Sequence, residues 1–261
     1  MISRLFLLFC LSFFLSIPAA KAQTYNMSWA WDAPILAGGG VWAIGTTWAS
    51  GRVPTLTPAK ISSLDPANVN AFDRPATRNW SPTAARISDI GLALGFASPL
   101  IPLFPKNARP DRTAIIAMAF EGGFITLGLT NTTKIITLRT RPFVYNPVAP
   151  IDRKTKPDAR LSFFSGHSSI TAYGAFFAAK VIHDLHPNAR WRPWVWASAG
   201  LLAGTTGYLR IRAGKHFPTD VLTGWAIGTG IGILVPELHK SKSTSLSLFP
   251  APNGLGMAMR F

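Results

Sequence analysis

Five long apolar stretches, separated by polar loops, constrain the fold of this chain more than any other feature of its sequence. Each is at or just below the length that a helix needs to cross a lipid bilayer. All five are rich in Gly, Ala, Ser and Thr, the small residues that allow membrane helices to pack closely. They lie at residues 87–104, 113–129, 168–182, 194–209 and 221–235.

The remaining segments add smaller elements. A weaker sixth helix is predicted over residues 34–50, which contain three consecutive glycines and which we expect to pack without crossing the membrane. Residues 51–86 form a connector that contains Pro, Asn and Asp. The tail, residues 240–261, alternates weakly around "PAPNG" and predicts a small hairpin. The predicted fold is therefore all-α, a membrane-embedded bundle of five to six helices.

The N-terminus has the pattern of a secretory signal peptide. Arg4 provides a short basic region, residues 5–17 an apolar core, and the small residues around Lys21 a cleavage site that we place after Ala22. An uncleaved anchor helix is the alternative. Because Cys10 is the single cysteine, the mature chain would contain no disulfide and no cysteine metal ligand.

The chain is strongly basic. Its formal net charge is +15, and removal of Arg4 and Lys21 with the signal peptide lowers it to +13. An exported protein has little access to nucleic acid, and the sequence lacks the interleaved basic and aromatic residues of nucleic-acid modules. Anionic lipid or phosphate is the partner that this charge favours.

Glu121 interrupts the second apolar stretch. A carboxylate at that depth is expected to face the interior of the bundle, either in a functional role or as the partner of an inward-facing Arg or Lys. No His, Asp or Glu cluster has convincing metal-ligand spacing along the sequence, so we expect neither a metal nor a cofactor.

The sequence "FFSGHSSITAYGAFF" places a Ser-Gly-His triplet directly before a long apolar run. If the run is a helix, Ser165, Gly166 and His167 lie at its N-terminus, where free backbone N–H groups and the helix dipole favour an anion. Gly166 would let the backbone approach a ligand, and His167 could exchange a proton near neutral pH. The alternative is an ordinary helix start with Ser165 as the cap.

Two further polar clusters lie at the ends of other apolar stretches. "KIITLRTRP" contains Lys134 and Arg141, and "LRIRAGKHFPTD" contains Arg210, His216 and Asp220. Singly, each cluster could be a set of basic residues at the membrane surface. Antiparallel packing of successive helices would bring all three clusters to one end of the bundle, where they would bind a dianionic tetrahedral group.

The order Lys-x6-Arg-Pro, Ser-Gly-His and Arg-x5-His-x3-Asp resembles the type 2 phosphatidic acid phosphatase and haloperoxidase superfamily over about residues 85–236. Two positions depart from the family pattern. Phe164 stands where the family has Pro before Ser-Gly-His, and Leu209 stands where it has Ser before the third-motif Arg. The second change removes a hydrogen-bond donor but no residue of the acid-base or nucleophile set.

The resemblance implies a role for each motif residue, with the active site at one end of the bundle. His216 would be the nucleophile that forms a phosphohistidine, and His167 the general acid and later the base. Asp220, near the third position of a helix that starts at Pro218, would reach back to orient His216. The remaining residues would bind the phosphate oxygens: Lys134, Arg141, Ser165, Gly166 and Arg210.

The function that this resemblance implies is metal-independent hydrolysis of lipid phosphate monoesters or diphosphates at the membrane surface. The expected partners are the lipid phosphate and the membrane. The alternatives are a soluble periplasmic non-specific acid phosphatase, a vanadate-dependent haloperoxidase, and a helical membrane protein with no catalytic activity. The chain is short for a haloperoxidase, and its oligomeric state cannot be predicted from the sequence.

We expect a location in the bacterial inner membrane with the active site facing the periplasm, or a soluble periplasmic protein as the alternative. The basic loops at residues 105–112 and 184–193 would then be cytoplasmic, as the positive-inside rule expects. If residues 34–50 also crossed, the site would face the cytoplasm. The predicted organisation is a signal peptide, an N-terminal segment with the connector, the phosphatase-like domain and a tail, at residues 1–22, 23–84, 85–236 and 237–261.

Overall fold

The computed structural model describes residues 23–241, 245–251 and 254–260, so the predicted signal peptide lies outside the described residues. Six long helices form the fold, and each predicted apolar stretch falls within or across one of them. The all-α prediction is therefore confirmed. The helices are α1 (Trp29–Ser50), α2 (Pro82–Ala97), α3 (Arg112–Thr137), α4 (Gly166–Leu185), α5 (Arg192–Arg212) and α6 (Pro218–Leu238).

Short elements connect the long helices and end the chain. The single-turn helices are Pro58–Ser62, Pro142–Tyr145 and Ile151–Lys154. The 3₁₀ segments are Pro66–Asn68, Arg74–Arg78, Ser98–Leu103, Lys106–Asp111 and Pro157–Arg160. Strands β1 (Ser245–Ala251) and β2 (Gly254–Arg260) pair antiparallel, with Ser245 opposite Arg260, which confirms the predicted terminal hairpin.

Helix α4 lies at the centre of the bundle and packs against α2, α3, α5 and α6. Small residues make this possible, because a Cβ atom at Gly174 would overlap the carbonyl oxygen of Gly95 in α2. A Cβ atom at Gly228 of α6 would likewise overlap the carbonyl oxygen of Ser169. These backbone contacts fix α4, and with it the Ser-Gly-His triplet at its first turn.

Helices α1 and α3 run side by side in the same direction. Asp32 in the first turn of α1 lies near Glu121, because both carboxylates approach His239, and near the other end Asn131 Nδ2 donates to Thr47 Oγ1 over 2.9 Å. Helix α1 therefore extends along the bundle beside α3, but it is not among the helices of the described residues that are long and apolar enough to cross a membrane. Because α1 extends in this way, residue 23 and the C-terminus of α3 lie at opposite ends.

Much of the outer surface of the bundle is apolar. Trp31, Val41, Phe96 and Leu201 are each more than 70% exposed, as side chains that face lipid would be. Among the described residues, three helical segments are long and apolar enough to cross a membrane, at Pro82–Leu103, Lys106–Tyr145 and Pro218–Leu238. The bundle thus has the length and exterior of a membrane protein.

The number of candidate spans is smaller than the five predicted from the sequence. The two segments that do not qualify are α4 and α5. Helix α4 carries polar residues such as Ser169 and Lys180 that are buried against its neighbours, and α5 begins and ends with arginine. Because α4 is enclosed by other helices, it can cross with a lower mean hydropathy than a helix that contacts lipid.

Candidate active site

The three polar clusters meet at one end of the bundle, as the helix order predicts. The C-termini of α3 and α5 and the N-termini of α4 and α6 converge there. The backbone N–H of Ser165 donates to the Asp220 carbonyl over 3.0 Å, and Arg141 Nη1 donates to the Lys215 carbonyl over 3.4 Å. Lys134 Nζ would lie 3.3 Å from a Cβ atom at Gly166. All eight predicted site residues belong to this region.

His216 is 1% exposed and lies between α5 and α6. Its Nδ1 is 2.8 Å from the backbone carbonyl oxygen of Ser162, which can only accept, so Nδ1 carries the proton. The other ring nitrogen, Nε2, has no hydrogen-bond partner among the described residues. In the neutral ring it holds the lone pair.

Burial, together with the charges of Arg141, Arg210 and Lys134, holds the pKa of His216 well below its usual range. Both causes act in the same direction, because each disfavours a second positive charge in an enclosed cationic site. The imidazole is consequently neutral at physiological pH, which is the form that a nucleophile requires.

Asp220 forms the predicted capping box but does not hydrogen-bond to His216. Its Oδ2 accepts from the Phe217 N–H over 2.8 Å and from Ser162 Oγ over 2.6 Å. The distance from Oδ2 to His216 Nδ1 is 3.6 Å. Asp220 thus reaches back to within ion-pair distance of His216, as expected, but the Nδ1 proton is donated to the Ser162 carbonyl. Asp220 also holds the segments on both sides of the ring in place.

Arg139 is the partner of Asp220 that the sequence analysis missed. Its Nη1 is 2.5 Å from Asp220 Oδ1, and its Nη2 is 2.7 Å from Asp73 Oδ2 in the connector. Arg139 lies between the two motif residues of "KIITLRTRP", so the cluster itself contained the signal, but the motif spacing drew attention to Arg141. Asp73 also accepts from Thr219 Oγ1 over 2.6 Å, which fixes the first turn of α6.

Arg141 is 4% exposed and is held by Asp158. Its Nε donates to the Asp158 carbonyl over 2.8 Å, and its Nη2 donates to Asp158 Oδ1 over 2.6 Å. Lys215 Nζ lies 3.7 Å from the other oxygen of this carboxylate. Two cations are therefore kept side by side near His216 by one acidic group.

His167 and Arg210 share a carboxylate of α2. His167 Nε2 is 2.8 Å from Asp89 Oδ1, and Arg210 Nη1 is 3.7 Å from the same oxygen. Arg210 is buried, and its Nε has no hydrogen-bond partner among the described residues. A buried guanidinium donor without a partner is costly, which is the condition that a bound anion would relieve.

Ser165 caps α4 as the sequence predicts. Its Oγ accepts from the Ser168 N–H over 3.3 Å and from Ser168 Oγ over 2.8 Å. Because Gly166 carries no side chain, Lys134 can lie against the first turn of the helix. The helix N-terminus and the ammonium group thus contribute positive potential at the same place.

An apolar groove begins beside this polar end. A cavity of about 260 Å³ lies between α2, α3 and α4, and a shallower depression extends along α2 from Asp89 to Leu100. Phe96 and Leu100 line both of them. Asp89, which contacts His167, lines the depression, so the depression begins at the edge of the polar site. The deeper wall of the groove includes Gly123, Leu127, Ile170 and Tyr173.

An Arg or Lys partner was one of the two expectations for Glu121, but it pairs with neither in the part of the chain that the structure describes. Its Oε2 lies 3.3 Å from His239 Nε2, and Asp32 Oδ1 lies at the same distance from that nitrogen. These three residues are at the end of the bundle opposite the active site. Residues that are distant in the sequence thus converge here, with one ligand atom of each within 4.8 Å of the other two, a proximity that sequence spacing does not reveal.

Comparison with known proteins identifies one family model, that of the PAP2 superfamily, which matches residues 113–243, half of the chain. A curated relative, an undecaprenyl-diphosphatase of Sulfolobus acidocaldarius, is 25% identical over 143 residues. That match covers 54% of this chain, which spans about three fifths (61%) of the relative.

A solved structure, the transmembrane PAP2-type phosphatidylglycerolphosphate phosphatase of Bacillus subtilis, is 22% identical to the chain. The TM-score is 0.48, and the alignment covers 79% of this chain and 94% of the solved chain.

The lowered pKa of His216 predicts a loss of stability in mild acid. Below about pH 6.5 the unfolded chain binds a proton at this residue that the folded chain excludes, so the free energy of unfolding should fall by about 1.4 kcal/mol per pH unit. In the variant His216→Gln this contribution is absent, and Tm should decrease less between pH 6.5 and pH 5.5. Equal decreases in detergent-solubilised wild type and variant would mean that His216 protonates normally in the fold.

Proposed function

The chain belongs to the PAP2 superfamily, and on that basis we propose that it is a membrane phosphatase that hydrolyses lipid phosphate monoesters or diphosphates. The observation that carries this proposal is the environment of His216. Its Nε2 is free among the described residues, its Nδ1 proton is fixed by Ser162, and Lys134, Arg141 and Arg210 surround it. A neutral nucleophile among cations suits attack on a phosphate dianion.

In the first step, the lone pair of His216 Nε2 attacks phosphorus and the bond to the leaving oxygen breaks. His167 donates a proton to that oxygen. Burial and the charge of Arg210 lower the pKa of His167 to about 3, whereas Asp89, 2.8 Å from His167 Nε2, acts in the opposite direction, as the negative charge of a bound phosphate would. The protonated imidazole that this step needs would therefore form together with the bound phosphate dianion. The charge on the phosphoryl oxygens is stabilised by the three cations, by Ser165 and by the Gly166 N–H.

In the second step, water attacks the phosphohistidine. His167, now neutral, takes a proton from the water, the P–N bond breaks, and its electron pair returns to His216. Neither step requires a metal or a cofactor, because guanidinium and ammonium groups balance the phosphate charge. Asp220 and Arg139 contribute by holding the segments on both sides of His216 in position.

The groove supports a lipid as the substrate. A phosphate at His216 would place its ester oxygen near His167, and an attached chain could follow α2 past Phe96 into the cavity above Tyr173. The apolar exterior of the bundle does not favour the soluble acid phosphatase.

Sidedness depends on α1. Because this helix places residue 23 and the active site at opposite ends, a signal peptide cleaved after Ala22 and a periplasmic site are incompatible if α1 crosses. The loops at the end opposite the site are basic, with Lys106, Arg109, Arg190 and Arg192 among their residues. The loops at the active-site end are also basic, because they carry the cations of the site, so the charge count favours neither side. We place the protein in the bacterial inner membrane with the active site facing the periplasm, an orientation that requires either an N-terminal segment that is not cleaved or an α1 that does not cross.

Replacement of the two histidines should separate their roles. His216→Ala should reduce phosphate release by more than about a thousandfold with every substrate, because no other group forms the covalent intermediate. His167→Ala should reduce hydrolysis of alkyl phosphates by about 10²- to 10⁴-fold but should affect nitrophenyl phosphate less, since that leaving group needs little protonation.

The control for both variants is His186→Ala, which removes a histidine at the other end of the bundle and should leave kcat/KM unchanged. Activity of His216→Ala within tenfold of wild type would contradict the nucleophile assignment. An equal loss on both substrate types in His167→Ala would contradict its role as the acid.

Filling the groove should weaken the binding of lipid substrates alone. A Cβ atom at Gly123 would meet Tyr173 at an ordinary distance of 3.8 Å, so Gly123→Leu should fold and occupy the cavity. We expect kcat/KM for a long-chain lipid phosphate in mixed micelles to fall about tenfold, the equivalent of about two buried methylene groups. The value for glycerol phosphate should not change.

The matched control is Gly200→Leu, since a Cβ atom at Gly200 has no neighbour within 4 Å and the residue lies on the outside of α5. This variant should hydrolyse both substrates as wild type does. Equal losses on lipid and glycerol phosphate in Gly123→Leu would indicate damage to the polar site and count against a chain-binding groove.

Single cysteines test the orientation in a Cys10→Ser background. Ser63→Cys lies in the exposed connector at the active-site end, and Asn188→Cys lies in the exposed loop at the other end. In intact spheroplasts, a membrane-impermeant maleimide should label Ser63→Cys. It should label Asn188→Cys only after the membrane has been permeabilised. The reverse pattern would place the active site in the cytoplasm.

A further inference from the structure

We propose that Asp32, Glu121 and His239 form a divalent-cation site, of the type that binds Zn²⁺, at the end of the bundle opposite the active site. One ligand atom from each residue lies within 4.8 Å of the other two. The site would connect α1, α3 and the residue that follows α6. It takes no part in the proposed hydrolysis.

The ring of His239 is oriented as a metal ligand would be. Its Nδ1 is 2.8 Å from the Val235 carbonyl, which can only accept a hydrogen bond, so Nδ1 carries a proton. A backbone carbonyl that fixes the second nitrogen is the usual partner of a metal-binding histidine. The remaining nitrogen, Nε2, faces the two carboxylates and is the acceptor in the neutral ring.

Two carboxylate oxygens approach this one nitrogen. Asp32 Oδ1 and Glu121 Oε2 are each 3.3 Å from His239 Nε2, longer than a strong hydrogen bond between charged groups. A single proton on Nε2 has one direction and cannot serve both oxygens well. In a tetrahedral Zn²⁺ site with bonds of about 2.0–2.1 Å, neighbouring ligand atoms are about 3.3 Å apart.

The charges at this position are unbalanced without a cation. Glu121 is 2% exposed and Asp32 is 5% exposed, and among the described residues neither carboxylate pairs with a Lys or Arg. Glu121 Oε1 is buried and has no hydrogen-bond partner in the same part of the chain. A charged His239 would balance one of the two carboxylates, whereas a divalent cation would balance both.

The surrounding backbone supports the ligands. Asp32 Oδ2 accepts from the Ser28 N–H over 2.6 Å, which leaves Oδ1 directed at His239. The Asn26 N–H donates to the His239 carbonyl over 2.8 Å, so the segment before α1 is already joined to the end of α6. Imidazole and carboxylate ligands together are typical of Zn²⁺ rather than of Ca²⁺ or Mg²⁺.

The experiment measures Zn²⁺ on the full-length protein, purified in detergent without a histidine tag and treated with EDTA. After addition of Zn²⁺ and desalting, mass spectrometry of the metal should give about one ion per chain. Glu121→Gln and His239→Gln should each weaken binding by more than about tenfold. The matched control, Glu237→Gln, alters an exposed glutamate outside the cluster and should bind Zn²⁺ as wild type does.

The second measurement is the change in Tm that Zn²⁺ causes within each protein. It therefore does not require that one particular variant be as stable as wild type. Zn²⁺ should raise the Tm of wild type and Glu237→Gln but not of Glu121→Gln. Without metal, Glu121→Gln should be at least as stable as wild type, because it removes one of two buried carboxylates that share a single histidine. The proposal would be overturned if wild type bound Zn²⁺ no more tightly than Glu121→Gln does. It would also be overturned if metal-free Glu121→Gln were less stable than metal-free wild type.

Hydrolysis separates this site from the proposed function. Wild type stripped with EDTA, and Glu121→Gln, should both retain activity on nitrophenyl phosphate at a temperature well below Tm, because the cluster lies at the far end of the bundle. If Zn²⁺ stabilised wild type but neither wild type nor the variants hydrolysed nitrophenyl phosphate, the metal site would be supported and the proposed function contradicted. Loss of activity on chelation, restored by Zn²⁺, would contradict the assignment of a site separate from catalysis.

Discussion

The buried carboxylate of Asp220 joins the segments that form the active site. A fully buried charge is tolerated only where its hydrogen-bonding capacity is met. Here Arg139, the Ser162 hydroxyl and the Phe217 N–H meet it, while the Asp220 carbonyl accepts from the Ser165 N–H. The same group therefore positions the start of α6, the loop before α4 and the C-terminal side of α3. Each of these segments contains or adjoins a residue to which we assign a role in the proposed hydrolysis.

The network extends from Asp220 into a part of the chain that the motifs do not reach. Arg139 bonds to Asp73, which in turn receives two hydrogen bonds from Thr219. The connector between α1 and α2 is thus a structural component of the site and more than a link between helices. The opposite arrangement holds for Arg210, whose Nε has no partner in the described part of the chain. The residues that support the site therefore have their hydrogen-bonding capacity met, whereas a residue that would meet the ligand does not. This division is common in enzymes.

The helices could be predicted from the sequence because apolar length and small-residue content are local properties. The three clusters could be placed at one end because helix order alone determines which termini meet. The partners of the site residues could not be predicted in this way. Asp73 lies 66 residues from Arg139, and Asp89 lies 78 residues from His167, so only the packing of the bundle reveals these pairs. Asp32, Glu121 and His239 are separated even further and share no motif.

The groove between α2, α3 and α4 has a consequence for how such an enzyme would experience its substrate. Leu100 and Phe96 are exposed on the outside of the bundle and also line the groove, so the opening is lateral. A lipid could enter and the dephosphorylated product could leave within the plane of the bilayer, while inorganic phosphate departs into water. Turnover would then follow the mole fraction of the lipid in its leaflet and not its bulk concentration. Dilution by neutral lipid would slow the reaction at constant total substrate.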